Sequence, residues 1–107
     1  MSIERREYLR VKKILPVIIH RPYFERDVET IDVSLGGIAV CRAQRHYDIS
    51  TDVYIELVLP EGDSVFCEAK VVWIHPNTKD ADSYQLGLQF LDMKQSDKEK
   101  LNIQLSK

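Results

Sequence analysis

The chain has 107 residues, 44% of them hydrophobic, and a formal net charge of −2. That length suits one compact domain with one core, and that apolar fraction excludes wholesale disorder. A mildly acidic chain is not built as a polybasic binder of nucleic acid polymers. With no signal peptide and no apolar run near ~18 residues, a cytoplasmic domain without membrane insertion is expected.

Residues 1–13 set Arg5, Arg6, Arg10, Lys12 and Lys13 against Glu4 and Glu7, a local charge of +3. They read as an exposed arm or a short helical turn leading into the domain. Residues 14–20 are β-branched and apolar and read as a strand, with Pro16 placing it at an edge or at a strand start. Arg21-Pro22 breaks it. Residues 28–33 read as a second strand, Gly36-Gly37 as a tight turn or bulge, and residues 38–42 as the strand that resumes. A polar loop over 43–51 precedes a clean alternation in which Val53, Ile55, Leu57 and Leu59 share a face. After the turn at 60–63 come a long strand or strand pair over 65–74, a polar loop over 75–83 and a closing strand over 84–91. The period then changes. Ser96 and Glu99 match a capping box, and Leu101 and Leu105 lie four apart, so a helix is expected over 96–106.

Together these describe a single all-β domain: an antiparallel barrel or sandwich of six or seven short strands over 14–91, with a short C-terminal helix available to cover one end. Closure into a barrel would remove exposed sheet edges.

Little in the chain resembles catalytic machinery. Cys41 and Cys67 form no CxxC or Cys/His cluster and read as buried or half-buried thiols, with a disulfide left open. His20, His46 and His75 have no metal-ligand spacing. Ser34 has no visible base partner and no nucleophile-elbow pattern. Glu56 and Glu68 read as solvent-facing, and Asp80 and Asp82 as loop solvation. Trp73, in an apolar strand, reads as core or barrel wall, and Tyr8 as the better candidate to stack on a planar ligand. No enzyme activity and no cofactor are expected.

Two clusters carry more information. Arg5, Arg6 and Arg10 form the first. Guanidinium groups are planar and always charged, and they grip phosphate or a guanine edge through two parallel hydrogen bonds. The plainer alternative is a solvated arm in which Glu7 pairs with Arg10. Asp32, Ser34, Gly36 and Gly37 form the second. In an extended strand Asp32 and Ser34 point to one face, where a carboxylate can accept from a guanine N1–H and N2–H edge. The plainer alternative is a hairpin turn in which Asp and Ser cap backbone amides.

The conjunction of Arg6-x-x-x-Arg10, preceded by Arg5, with Asp32-x-Ser34-x-x-Gly37 one strand later resembles the PilZ domain family. Val71-Val72-Trp73 resembles a late strand of that family, and Leu86-Gly87-Leu88-Gln89-Phe90 its closing strand. The resemblance spans about residues 4–105. It implies a six- or seven-stranded antiparallel barrel that binds the bacterial second messenger cyclic di-GMP. Arg6 and Arg10 would hold guanine and phosphate, with Arg5 adding a grip. Asp32 and Ser34 would read a guanine edge, and Gly36 and Gly37 would permit close approach. Arg5 before the motif admits an intercalated pair of cyclic di-GMP molecules. An arm that is mobile without ligand and ordered by it would signal to a bacterial protein target in motility, biofilm or polysaccharide control. The alternatives are a PilZ domain that binds proteins without responding to nucleotide, and a small barrel for single-stranded nucleic acid. Acidic net charge and sparse aromatics count against the last.

Overall fold

A computed structural model describes residues 9–77, 79 and 82–107. The elements run β1 (Pro16–Arg21), β2 (Glu25–Val33), β3 (Gly37–Ala43), β4 (Asp52–Val58), β5 (Ser64–Pro76), β6 (Tyr84–Asp92) and α1 (Gln95–Leu105). The strands pair antiparallel throughout and close in the order β1-β2-β3-β6-β5-β4. The fold is therefore the six-stranded barrel, not the sandwich, and closure leaves no unpaired sheet edge among the described residues as a template for aggregation.

The alternation read from the sequence is what fills the barrel. Val53, Ile55 and Leu57 of β4 point inward, as do Val17 and Ile19 of β1 and Val65, Ala69 and Val71 of β5. β4 and β5 pair without interruption from Asp52↔Lys70 to Val58↔Ser64. Their turn closes through Leu59 N–H to the Asp63 carbonyl and Gly62 N–H to the Leu59 carbonyl, with Gly62 at φ 92°, a conformation that favours glycine. The Arg21-Pro22 break is a cis peptide bond.

Loop 44–47 folds back on a buried acid. Glu25 accepts from the Gln44 and Arg45 amides at 2.7 and 3.3 Å and from the Tyr47 hydroxyl at 2.7 Å. Burial, and then this hydrogen bond, push the Tyr47 hydroxyl well above the usual tyrosine range.

The helix departs from the capping-box expectation. It begins at Gln95 with Lys94 as N-cap, and no side chain caps it. Tertiary contacts place it instead. Leu101 is fully buried in the core, Asp97 Oδ2 accepts from the Phe66 amide at 3.4 Å, and Gln104 and Lys107 reach Glu61 in the β4–β5 turn.

The segment before β1 also departs from expectation. Val11 and Val33 exchange two backbone hydrogen bonds of 2.8 Å, and Thr30 holds Lys13 and Leu15. Residues 11–15 are thus bound to β2, so the mobile arm expected over 1–13 is too long at its C-terminal end. Tyr8 and Asp80 lie outside the described residues.

Candidate functional site: a groove at the Arg10–Asp32 rim

β2 carries a bulge between Thr30 and Asp32. The extra residue breaks the in–out alternation. Thr30 and Val33 both point inward, at 1% and 0% exposure, and Asp32 is turned outward. Arg10 meets it there. Arg10 Nη2 lies 3.0 Å from Asp32 Oδ1, with the two side chains 30% and 22% exposed. The contact is an ion pair without hydrogen-bond alignment: Asp32 Oδ1 is buried and accepts no hydrogen bond among the described residues. A buried acceptor in that state gains from any donor brought within reach of it.

The turn after β2 is held by Ser34. Its hydroxyl donates to the Gly37 carbonyl and accepts from the Gly36 and Gly37 amides, each at 3.1 Å. One donor and two lone pairs are all a hydroxyl has. Ser34 thus builds the turn, as the plainer alternative has it. Gly37 is likewise needed for packing. A Cβ there would run into the Leu88 carbonyl oxygen, so the missing side chain lets β3 close against β6. The Gly36 carbonyl accepts from the Phe90 amide at 3.0 Å, tying the turn to the same strand.

Arg10, Asp32, Ser34, Gly36 and Gly37 line one side of an open groove of about 640 Å³. Val72, Trp73, Gly87 and Gln89 line the other. Five of the seven residues singled out by sequence thus come together, while Arg5 and Arg6 lie outside the described residues. Of the two places expected for Trp73, core or barrel wall, the structure gives the wall. A register shift in β5 between Val71 and Trp73 leaves Val71 inside, Val72 exposed and the indole half-buried on the groove wall. The ring lies directly over Gly87, its cross-strand partner. A lone tryptophan opposite a glycine in the two late strands was the signal for this wall.

Outside the groove, Glu56 lies on the outer face of β4 but is hydrogen-bonded and only partly exposed. It accepts from Ser64 Oγ at 2.8 Å and meets His20 Nε2 at 2.9 Å. Burial raises its pKa, but these two hydrogen bonds outweigh it and hold the carboxyl below its ordinary range. Glu68 does face outward, 3.4 Å from Arg21. Cys41 and Cys67 are both free thiols. No helix among the described residues is long and apolar enough to cross a membrane.

The profile of the PilZ domain matches residues 4–105. The chain belongs to the PilZ domain family. Solved structures agree with that placement. The inhibitor of motility MotI/DgrA of Bacillus subtilis superimposes with a TM-score of 0.80 at 25% identity, over 97% of this PilZ domain and 49% of that chain. The PilZ domain of YcgR from Escherichia coli with cyclic di-GMP gives 0.72 at 18% identity, over 96% of this chain and 91% of that one. YcgR in complex with cyclic di-GMP also gives 0.72 at 18%, over 94% of this chain and 44% of that one. This PilZ domain therefore spans about half the length of the Bacillus protein. No curated protein matches it by sequence.

Proposed function

We propose that this PilZ domain is a cyclic di-GMP receptor that acts as an adaptor, passing the level of the second messenger to a protein target in control of motility, biofilm or exopolysaccharide. The observation that carries the reading is the Arg10–Asp32 pair on the groove rim, with Asp32 Oδ1 buried and accepting no hydrogen bond among the described residues. A guanine N1–H and N2–H edge supplies two donors to that carboxylate. Arg10, released from it, turns to guanine O6 and N7 or to phosphate. Trp73 offers a face on which a base stacks, worth about 1–3 kcal/mol per base. The groove volume falls within the ~300–1,000 Å³ usual for small-molecule sites. Complexes of the YcgR PilZ domain with cyclic di-GMP, and the motility role in the name of the Bacillus neighbour, support the same reading.

Arg5 and Arg6 would close on the ligand from the N-terminal side of Arg10. Because Val11 is already bound to β2, ligand-driven ordering belongs to the residues before it. The doubled arginine leaves room for an intercalated pair of ligands. Calorimetry with cyclic di-GMP on the wild type, Arg6→Ala and Asp32→Ala tests the assignment, and the stoichiometry distinguishes one ligand from two. Amide exchange over residues 1–13, with and without ligand, tests the ordering; equal protection in both states would end that part. A flat wild-type titration returns the chain to the other reading, a protein-interaction PilZ domain that does not respond to nucleotide.

A further inference from the structure

The segment that carries Arg10 changes register just before it reaches Asp32. Pro16 lies opposite Glu29 and Val17 opposite Val28. Val11 lies opposite Val33. Between Pro16 and Val11 the segment takes five steps while β2 takes four, so it carries one extra residue. A slip of one residue exchanges the two faces of a strand. Had the register run on from Pro16, Lys12 would face Val33, and Arg10, two residues away, would share the inward side of that fully buried valine. With the slip, Val11 takes that side and Arg10 falls on the opposite one, where Asp32 stands.

The slip occurs at Lys13–Leu15, and Thr30 sits against it. Its backbone N–H donates to the Leu15 carbonyl at 2.9 Å. Its hydroxyl accepts from the Leu15 amide at 2.8 Å and donates to the Lys13 carbonyl at 2.5 Å. One side chain 1% exposed to solvent thus supplies both the donor and the acceptor that the interrupted ladder lacks. Valine, of nearly the same shape, would supply neither and would leave the buried Leu15 N–H and the part-buried Lys13 carbonyl without that partner.

We propose that Thr30 is a positioning residue for Arg10: its hydroxyl pins the one-residue slip, and the slip sets which face of β2 the guanidinium serves. Its consequence for ligand affinity rests on the cyclic di-GMP reading above; its consequence for the segment does not. Thr30→Val weakens cyclic di-GMP binding about tenfold, the scale of one buried group losing its partner. Thr30→Ser, which keeps the hydroxyl, restores binding to within about twofold of wild type, and Thr30→Val adds less than about twofold on an Arg10→Ala background, because the two act as one unit. Val11→Pro, which removes a hydrogen bond of the segment without touching the core, gives the same Arg10-dependent loss and serves if Thr30→Val does not fold. Affinity unchanged in both variants, or losses that add fully to that of Arg10→Ala, would overturn the proposal. Amide exchange separates the two readings. If the wild type does not bind cyclic di-GMP, the functional reading fails, yet Thr30→Val must still speed exchange at Val11 and Val33 about tenfold or more relative to Ile55 in the barrel. Unchanged exchange at those two amides removes the positioning role whatever the ligand.

Discussion

Gly87→Ala places a methyl where the Trp73 indole now lies. Three ring atoms, Nε1, Cε2 and Cδ1, occupy the space an alanine Cβ would need. Gly87 and Trp73 are cross-strand partners within the long β5–β6 ladder, which runs from Glu68↔Asp92 to Pro76↔Tyr84, so the strands cannot separate locally without breaking their neighbours' pairing. The ring must move instead. Overpacking costs about 1–3 kcal/mol, and a half-buried ring with the groove beside it can swing outward, which places the cost near the lower end. For a domain of this size each kcal/mol lowers the melting temperature by about 4–8 °C. Thermal unfolding followed by circular dichroism measures the loss. Trp73 is the only tryptophan of the chain, so a red shift of native-state emission reports its displacement. On a Trp73→Ala background the same substitution has nothing to strike and stays within about 0.5 kcal/mol of its parent. A Gly87→Ala protein with wild-type melting temperature and emission would refute the packing argument, and with it the picture of Trp73 as a fixed groove wall.

Arg10→Ala and Asp32→Ala each lower cyclic di-GMP affinity by about 5- to 150-fold, the equivalent of ~1–3 kcal/mol for a bidentate guanine contact, as measured by calorimetry. Loss of the partly exposed ion pair itself changes stability by under about 1 kcal/mol in urea denaturation. Glu25→Ala leaves two loop amides and the Tyr47 hydroxyl without their acceptor and destabilises the barrel by at least about 2 kcal/mol in the same assay. Because burial raises the folded-state pKa of Tyr47 above its unfolded value, folding favours the protonated form. Its contribution is complete below about pH 10 and declines as pH rises past that value, so wild type loses more stability between pH 9 and pH 11 than Tyr47→Phe does. Burial, with the nearby Asp97, Glu68 and Asp92 charges, pushes the Cys67 thiol up to about 12, so in the native state at pH 8 a thiol reagent labels the half-buried Cys41 and spares Cys67 until the protein unfolds. Equal labelling rates for the two cysteines would contradict that placement.

The local periods in the chain were enough to name an all-β barrel or sandwich, and the family resemblance pointed to the barrel. Val53, Ile55 and Leu57 alternate because β4 pairs with β5 without a break, and there a two-residue period read from sequence maps directly onto inside and outside. Arg10 and the Asp-x-Ser-x-x-Gly residues were likewise legible as a cluster, since their residue types and spacing carry the family resemblance. Reading stopped short wherever the alternation is interrupted. Trp73 sits among apolar neighbours and reads as core or barrel wall, and only the shift after Val71 decides for the outer wall. Ser34 admits two readings from sequence, and only the fold shows its hydroxyl holding the turn through Gly36 and Gly37. Ser96 and Glu99 spell a capping box, yet the helix starts at Gln95 with no side-chain cap.

Residue order alone therefore determined the strands, their apolar faces where the alternation runs unbroken, and the groups proposed to hold a guanine nucleotide. Tertiary structure decided which way Asp32, Trp73 and Arg10 face. That choice turns on single extra residues in β2, in β5 and before β1, and whether a strand gains one depends on the partner it pairs with, tens of residues distant along the chain.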